Sequence, residues 1–335
     1  MDTGTTAIAR LVSGRRFMVT GAAGFIGSRL LSRLVECGAE HVVAVDRVPL
    51  GANPFTRVVD PSRVSEVPLS LGVCEAAELA RSLDGVHAVF HLAAAKYHPH
   101  GEPTVEIVRS NVLGTAMLLD AARAARVSKV VFASSLYAYG RMKGEPFDES
   151  EHVRPCTVYG HSKWLGEEIC RLQAGVASTA LRYLFVYGPG QLPKHGYPSV
   201  VVKSFLRMLG GRRPVINGDG SQILDYVFVD DVVEATIRAL RHEADGRTYN
   251  VGSGEGTSIR NLMAVMQDVA GFAGAPETGP SDQTAGTSRV ARIDRIRDEL
   301  GWIPTTSLRT GLDRTLESIR SHWEWYERER PGHVG

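Results

Sequence analysis

Cysteine and long apolar runs are both scarce in this sequence. The 335 residues include four cysteines, and none has the spacing of a Cys-x-x-Cys pair or of a metal site. We therefore expect reduced thiols, with no disulfide framework and no metal site. No uninterrupted apolar run approaches the roughly 18 residues needed to span a bilayer, and no apolar signal segment follows the first residues. These absences predict a cytoplasmic protein without membrane contact.

An excess of charge of either sign is also missing. The sequence has 38 basic and 37 acidic residues, which gives a formal net charge of +1. A balanced charge provides no general attraction to nucleic acid or to an anionic membrane. We expect a small-molecule substrate as the partner, and an anionic ligand would have to be held by a local cluster of basic groups.

Short apolar runs alternate with helical stretches through the first half of the chain. The predicted strands are 17–19, 41–45, 86–92, 129–133 and 179–184, and the predicted helices are 28–37, 76–83, 104–125 and 159–174. Strands buried on both faces and separated by helices are typical of an α/β fold with a doubly wound parallel sheet, the Rossmann type. We interpret residues 1–14, which are small and polar, as a loose tail.

After about residue 190 this alternation weakens, and segments rich in glycine and proline appear. We predict a dinucleotide-binding Rossmann domain over 15–188, which later segments at about 225–250 rejoin. Residues 189–330 then form mainly a smaller C-terminal substrate-binding lobe. Such a lobe would cover the carboxyl ends of the strands, where open α/β sheets bind their ligands.

A glycine-rich turn follows the first strand and opens a helix, with glycines at Gly21, Gly24 and Gly27. Glycine allows a tight turn and a close approach to a pyrophosphate, which the helix N-terminus favours. Asp46 ends the second strand, where a carboxylate can bind the adenosine ribose hydroxyls and repel a 2′-phosphate. The pattern predicts NAD as the cofactor. Arg47 keeps NADP open, because arginine is a usual 2′-phosphate partner.

Tyr159 and Lys163 are four residues apart, which places them on one face of a helix. Hydride transfer from an alcohol needs a base for the hydroxyl proton, and a nearby ammonium group favours the phenolate of a tyrosine. Ser135, at the end of a strand, can hydrogen-bond the same substrate oxygen. The three residues form a candidate catalytic set.

With these motifs, the chain from about Phe17 to Trp302 resembles the extended short-chain dehydrogenases, the NAD-dependent epimerase/dehydratase group. Matching segments run from the glycine-rich turn, through 91–94, 111–115, 134–140 and 159–163, to 181–189, 218–220, 230–231 and 300–302. The resemblance implies that Tyr159 is the base, Lys163 its partner and ribose ligand, and Ser135 a helper. It also implies a homodimer formed through the helices around Asn111 and Tyr159. Further cofactor contacts are expected at Phe25, Ile26, Leu92, Ala93, Ala94, Lys96, Asn111, Ala133, Ser134 and Tyr183.

The sequence departs from the family's 4,6-dehydratases directly after Ser135. These enzymes carry an Asp-Glu pair there, which supplies the acid and the base for loss of water, whereas this chain has Leu136 and Tyr137. The departure argues against a 4,6-dehydratase.

Three further departures concern ligand contacts. Phe185 stands where related enzymes have an asparagine that contacts the sugar nucleotide, and Leu224 stands where they have an arginine that binds the diphosphate. Gly72 stands where an aspartate often lies near the adenine. Basic residues that could replace the missing donors are Lys194, His195, Arg212, Arg213, Arg289 and Arg292. The full set of candidate substrate contacts is Lys96, Tyr97, Ser135, Leu136, Tyr137, Phe185, Lys194, His195, Val200, Arg213, Leu224 and Arg289.

The segment after Ala95 should border the nicotinamide side of the cleft, where Lys96, Tyr97 or His98 could contact the substrate. His98 and His100 have no evident third ligand, so we expect no metal there.

These features predict an enzyme, namely an NAD-dependent epimerase of a nucleotide-linked sugar that acts at C4 through a keto intermediate. Two alternatives remain open at this stage. One is a net dehydrogenase, reductase or decarboxylase acting on an unusual or non-nucleotide substrate. The other is a non-catalytic NAD-binding protein.

Overall fold

The computed structural model describes residues 3–56, 58–96, 103–142, 146–192, 199–282 and 284–328. Its helices are α1 (Thr3–Val12), α2 (Phe25–Glu36), α3 (Ala76–Ser82), α4 (Thr104–Ile107), α5 (Gly114–Ala124), α6 (Val158–Leu172), α7 (Val200–Leu209), α8 (Val229–Arg238), α9 (Ile259–Ala270), α10 (Asp294–Leu300), α11 (Leu308–Ser321) and α12 (Trp323–Arg328). Its strands are β1 (Arg16–Thr20), β2 (His41–Asp46), β3 (Val64–Pro68), β4 (Ala88–His91), β5 (Lys129–Ser135), β6 (Ala177–Tyr183), β7 (Phe185–Tyr187), β8 (Val215–Asn217), β9 (Ile223–Phe228), β10 (Thr248–Val251), β11 (Gly256–Ser258), β12 (Glu277–Gly279) and β13 (Ser288–Arg289).

Seven parallel strands form the main sheet, in the order β10-β6-β5-β4-β1-β2-β3. The order reverses direction between β1 and β4, and ligands of doubly wound sheets bind at such a switch point. All seven residues of β5 are buried, as expected for a central strand covered on both faces. The predicted Rossmann fold is confirmed, and the switch point places the ligand cleft between the ends of β1 and β4.

The prediction of a loose N-terminal tail is wrong. Residues 3–12 form α1, which packs against α8. Ile8 and Val12, four residues apart and therefore on one helical face, are fully buried. The small polar residues around them masked this short apolar stripe in the sequence.

Two other elements differ from the prediction. The helix expected over 104–125 is split into α4 and α5 by a π-helical segment, Val108–Leu113. Strand β3 was not predicted, because it lies at the sheet edge and none of its residues is fully buried.

The C-terminal part contributes two smaller sheets. Strand β9 pairs with β7, β11 and β13, and β8 pairs with β12. Helices α7, α9 and α11 pack together beside them around an apolar cluster that includes Phe205, Leu262 and Leu316. Strand β10 lies in the main sheet, so the chain returns to it after β9. The exact domain boundaries stay a prediction.

Within the part of the chain that the structure describes, no helix is long and apolar enough to cross a membrane. The same residues contain no group of three or more His, Cys, Asp or Glu side chains that could hold a metal ion.

Candidate active site

The turn between β1 and α2 lies close to the backbone at the end of β4. Gly21 has a φ of +73°, and a Cβ atom on it would lie 2.8 Å from the backbone nitrogen of Ala93. A Cβ on Gly27 would lie 2.0 Å from the carbonyl oxygen of Gly21. Both positions therefore require glycine, because a Cβ atom would collide with the backbone. The glycines let the turn close tightly at the N-terminus of α2. This cradle fits the pyrophosphate of a dinucleotide.

Asp46 lies at the end of β2 and lines the same cleft. Its carboxylate accepts hydrogen bonds from the backbone N–H of Ala23 at 2.9 Å and of Val48 at 3.1 Å, which fix its orientation. Arg47 also lines the cleft, but its guanidinium pairs with Glu106 at 2.8 Å. A fixed carboxylate beside an engaged arginine favours NAD over NADP.

Gly72 shows why the adenine end lacks the family's aspartate. The residue has a φ of +84°, and a Cβ atom there would lie 2.1 Å from the carbonyl oxygen of Arg109. No side chain fits without moving the helical segment that carries Arg109. The backbone packing thus accounts for the departure.

The cleft has a volume of about 1090 Å³ and adjoins a second space beside Tyr159, which we call the catalytic cavity. The other predicted cofactor residues line one of these two spaces, with one exception. Asn111 lines neither, because it is buried behind the cleft wall. Its amide accepts a hydrogen bond from the Ala95 N–H at 2.7 Å and donates to the Ala95 carbonyl at 2.9 Å and to Ser162 Oγ at 3.0 Å. Asn111 therefore joins the segment after β4 to helix α6 rather than contacting the cleft. The residues that do line the two spaces are Gly21, Gly24, Phe25, Ile26, Gly27, Asp46, Arg47, Leu92, Ala93, Ala94, Lys96, Ala133, Ser134, Tyr159, Lys163 and Tyr183.

The structure brings the three candidate catalytic residues together. Ser135 ends β5, and Tyr159 and Lys163 lie one turn apart on α6, which Thr157 caps by accepting a hydrogen bond from the Gly160 N–H at 2.9 Å. Gly160 lets α6 approach the turn after β5, because a Cβ there would lie 2.4 Å from the Tyr137 carbonyl oxygen. Tyr159 and Ser135 are linked by a side-chain hydrogen bond.

Within this set, the Lys163 side chain lies beside the ring of Tyr159. Its ammonium group donates to the Ala133 carbonyl at 2.8 Å and lies 5.8 Å from the centre of the Tyr159 ring. Desolvation by the surrounding protein lowers the pKa of Lys163 to about 8 and raises that of Tyr159 to about 12. The phenolate therefore needs help from positive charge, which Lys163 supplies while it is protonated.

A buried ion pair anchors α6 to the sheet next to this site. Arg182 on β6 donates to both carboxylate oxygens of Glu167, at 2.9 and 2.7 Å. Ser134 also donates to this carboxylate. The hydroxyl of Ser134 is therefore bonded to Glu167, whereas the hydroxyl of the neighbouring Ser135 is bonded to Tyr159.

The catalytic cavity has a volume of about 610 Å³, within the usual range for small-molecule sites, and extends from Tyr159 into the C-terminal part. Of the predicted substrate contacts, it is lined by Lys96, Ser135, Leu136, Tyr137, Phe185, Val200 and Leu224. Phe185 and Leu224 make this wall apolar, where the family has polar donors.

Two predicted substrate contacts are not among the residues that line the cavity. Arg213 is exposed and pairs with Glu277 at 3.5 Å. Arg289 is buried on β13 next to Leu224 of β9, but its side chain does not reach the cavity lining. The proposed basic replacements Arg212 and Arg292 are absent from the lining as well. Tyr97, Lys194 and His195, together with His98 and His100, lie outside the described residues.

Lys203 and Arg207 line the cavity and were missed from the sequence. Arg207 is engaged with Glu277 at 2.9 Å and with the Arg213 carbonyl at 2.6 Å. Burial lowers the pKa of Lys203, and the Asp282 carboxylate, which also lines the cavity, favours its charged form. A signal was available, because Ser199, Lys203 and Arg207 follow one another at intervals of four along α7. The other polar side chains that line the cavity in its C-terminal part include Gln191, Ser204, Asn217, Gln222, Asp282 and Thr284.

Comparisons with known proteins agree with this geometry. Residues 17–252 match the model of the NAD dependent epimerase/dehydratase family. The chain is 36% identical to UDP-glucose 4-epimerase of Mycolicibacterium smegmatis, over 91% of this chain and 99% of that protein. It is 30% identical to dTDP-glucose 4,6-dehydratase of Streptomyces griseus, over 92% and 95%.

Among solved structures, UDP-glucose 4-epimerase of Thermotoga maritima with UDP-glucose matches with a TM-score of 0.83 and 31% identity, over 92% of this chain and 99% of that one. The family resemblance predicted from the sequence is thereby confirmed, together with NAD as the family's cofactor. The chain belongs to the NAD-dependent epimerase/dehydratase family of enzymes.

Proposed function

We propose that this protein is a 4-epimerase of nucleoside diphosphate sugars. The observation that carries the proposal is the composition of the catalytic cavity. Ser135, Tyr159 and Lys163 lie together, and among the described lining residues the only carboxylate is Asp282. Asp282 accepts hydrogen bonds from Thr284 at 2.6 Å and from Asn217 at 3.3 Å, in the C-terminal part. The site thus has the groups for reversible alcohol oxidation without the acid–base pair for elimination.

The absence of that pair separates an epimerase from a dehydratase, although both occur among the relatives. Leu136 is buried, and the Tyr137 ring packs edge-on against Tyr159 with centroids 5.8 Å apart. Neither side chain can act as a carboxylic acid at the neighbouring sugar carbon. The relatives named as UDP-glucose 4-epimerases support C4 as the reacting position and a uridine nucleotide as the carrier.

In the proposed reaction Tyr159 takes the proton of the sugar hydroxyl, and Ser135 orients that oxygen by a hydrogen bond. Lys163 stabilises the phenolate and binds the nicotinamide ribose. NAD would be held by the glycine-rich turn, Asp46 and Lys163 and would supply a reversible hydride acceptor, so the cycle would consume no cofactor. Tyr159 then returns the proton to the oxygen of the inverted alcohol.

Between the two steps the keto sugar must present its other face. The apolar side chains of Phe185, Val186 and Leu224 form few directional contacts with a sugar ring, which allows the ring to turn within the cavity. The wall that departs from the family pattern is therefore compatible with epimerisation.

The diphosphate would be held by Lys203 in place of the arginine that Leu224 replaces. Lys203 lines the cavity, and its ammonium group, which the Asp282 carboxylate attracts, can contact an anion bound there. A charge-assisted hydrogen bond of this kind contributes about 1.5–3 kcal/mol. Lys203 is the group that reconciles a nucleotide substrate with the missing arginine.

We further propose that the protein is a cytoplasmic homodimer. The π-helical segment and helices α4 to α6 pack against one another. They expose large apolar side chains, namely Val105, Val108, Leu113, Trp164, Leu165 and Leu172. A second copy of the chain would cover this surface, which we call the helical face.

The activity is tested by incubating the purified protein with UDP-, dTDP-, GDP- and CDP-sugars, first without and then with added NAD, and separating the products by chromatography with mass detection. We expect an isobaric product from a UDP-sugar without added cofactor. Loss of water or of carbon dioxide would instead indicate a dehydratase or a decarboxylase. A two-hydrogen mass change that requires added NAD would indicate a net dehydrogenase.

A further inference from the structure

Four aromatic side chains come together where the C-terminal helix α12 meets the loop after β2. The ring of Phe55 lies 4.5 Å from that of His322, 5.3 Å from Trp325 and 5.7 Å from Tyr326, measured between centroids. Phe55 and Tyr326 are buried, whereas Trp325 and His322 are partly exposed. We call these four residues the C-terminal aromatic cluster.

The cluster is tied to the glycine-rich turn of the cofactor site. The backbone N–H of Phe55 donates a hydrogen bond to the side-chain carbonyl oxygen of Asn53 at 2.9 Å. The Asn53 amide in turn donates to the backbone carbonyl of Ala23 at 3.1 Å and to Ser28 at 3.2 Å. Ala23 lies inside the turn that forms the pyrophosphate cradle, so Asn53 connects the cradle to Phe55 of the cluster.

The cluster is also tied to the segment that leads into the substrate side. The hydroxyl of Tyr326 accepts a hydrogen bond from the Gly190 N–H at 3.1 Å. A Cβ on Gly190 would lie 3.1 Å from Phe55, so this segment packs directly on the cluster. Leu192, two residues further on, lines both the cofactor cleft and the catalytic cavity.

Trp325 itself lines the cofactor cleft, together with Asn53, Asp46 and Lys96. We propose that Trp325 contacts bound NAD beside the pyrophosphate and that the C-terminal aromatic cluster closes the cleft over the cofactor. This inference concerns cofactor binding alone and does not depend on which sugar the enzyme uses.

An indole side chain has suitable chemistry for contacting a dinucleotide in the cofactor cleft. Its flat apolar face can cover a ribose, and its N–H can donate to a phosphate oxygen or a hydroxyl group. An enzyme that returns its hydride to the substrate gains nothing by releasing the cofactor between turnovers. A wall supplied from the far end of the chain would slow that release.

The test is the affinity of the full-length protein for NAD, measured by calorimetry after removal of endogenous cofactor. We expect Trp325→Ala to raise the Kd for NAD about tenfold. The matched control is Trp323→Ala, because Trp323 lies on the same helix but does not line the cleft. The melting temperatures of both variants measure how much stability each substitution removes through lost packing.

A second measurement uses variants that keep an aromatic ring and so preserve the cluster. Bound NADH should quench the emission of Trp325, and this quenched component should disappear in Trp325→Phe but persist in Trp323→Phe. The proposal is overturned if Trp325→Ala binds NAD as tightly as the unmodified protein or if Trp323→Ala weakens binding equally. It is also overturned if Trp325→Phe leaves the quenching unchanged.

Discussion

The reactivity of this site depends on two side chains whose ordinary ionisation is opposed by burial. Desolvation raises the pKa of Tyr159 to about 12 and lowers that of Lys163 to about 8. Both shifts act against the charged forms, which are the forms needed for proton abstraction. The ammonium of Lys163, together with the oxidised nicotinamide when NAD is bound, would favour the phenolate. The activity should therefore depend on the protonation of Lys163.

The pH dependence of turnover follows from these directions. Rising pH favours the Tyr159 phenolate, so kcat should increase from acid to neutral pH. Above about pH 8 Lys163 loses its proton, which offsets the further gain in Tyr159 phenolate, so kcat should level off. Lys163→Arg keeps the charge at high pH, so its kcat should continue to rise above pH 8, whereas Tyr159→Phe should lower kcat about 100- to 10,000-fold at every pH. A wild-type rate that keeps rising through pH 10 would show that the ammonium is not required.

At the level of secondary-structure elements, the proposed anion contact lies on a helix, whereas the family has it on a strand. Leu224 on β9 stands where the family has its diphosphate arginine, and Lys203 reaches the same cavity from α7. The donor therefore approaches the ligand from a different wall.

Lys203→Gln should raise the Kd for UDP at least tenfold and leave binding of uridine, which has no phosphate, unchanged. The matched control is Arg212→Gln, which removes the same charge from an exposed position two residues before Pro214 and outside the cavity lining. Calorimetry with UDP and uridine measures both. An equal effect of the two substitutions, or an unaltered UDP affinity in Lys203→Gln, would refute the assignment.

A larger share of the predicted cofactor residues than of the predicted substrate residues lines the cleft or the cavity. Gly21, Asp46, Ser135 and Tyr159 sit at strand ends or helix starts, and the parallel sheet places such positions along one edge. Substrate contacts depend instead on how α7, β8 and β9 pack, which local patterning does not encode. Arg213, which was predicted, is not among the residues that line the cavity, whereas Lys203, which was not predicted, is among them.

Local patterning also failed to predict helix α1 and strand β3. Each carries only a short apolar pattern, and each is defined by the neighbour it packs against. In contrast, β5 and α2 carry continuous or periodic apolar residues that predict their structure directly.

At the scale of the whole molecule, the helical face should hold two copies together. Leu165, which is 41% exposed, lies on α6 within this face. Leu165→Arg should convert a dimer into a monomer, because a charge would be buried against apolar side chains. Ile303→Arg is the control, since Ile303 is 55% exposed but lies outside the helical face. Light scattering after gel filtration gives the mass. A monomeric unmodified protein would contradict the proposed dimer.

The central claim is that hydride leaves and returns to the same carbon within one cavity. The most direct measurement is the fate of deuterium when UDP-glucose labelled at C4 is turned over without added NAD and the product is analysed by mass and NMR. The account predicts an inverted product that keeps its deuterium at C4. Deuterium released to the solvent would indicate inversion by deprotonation of carbon, and deuterium found in free NADH would indicate a net dehydrogenase; either result would contradict the account.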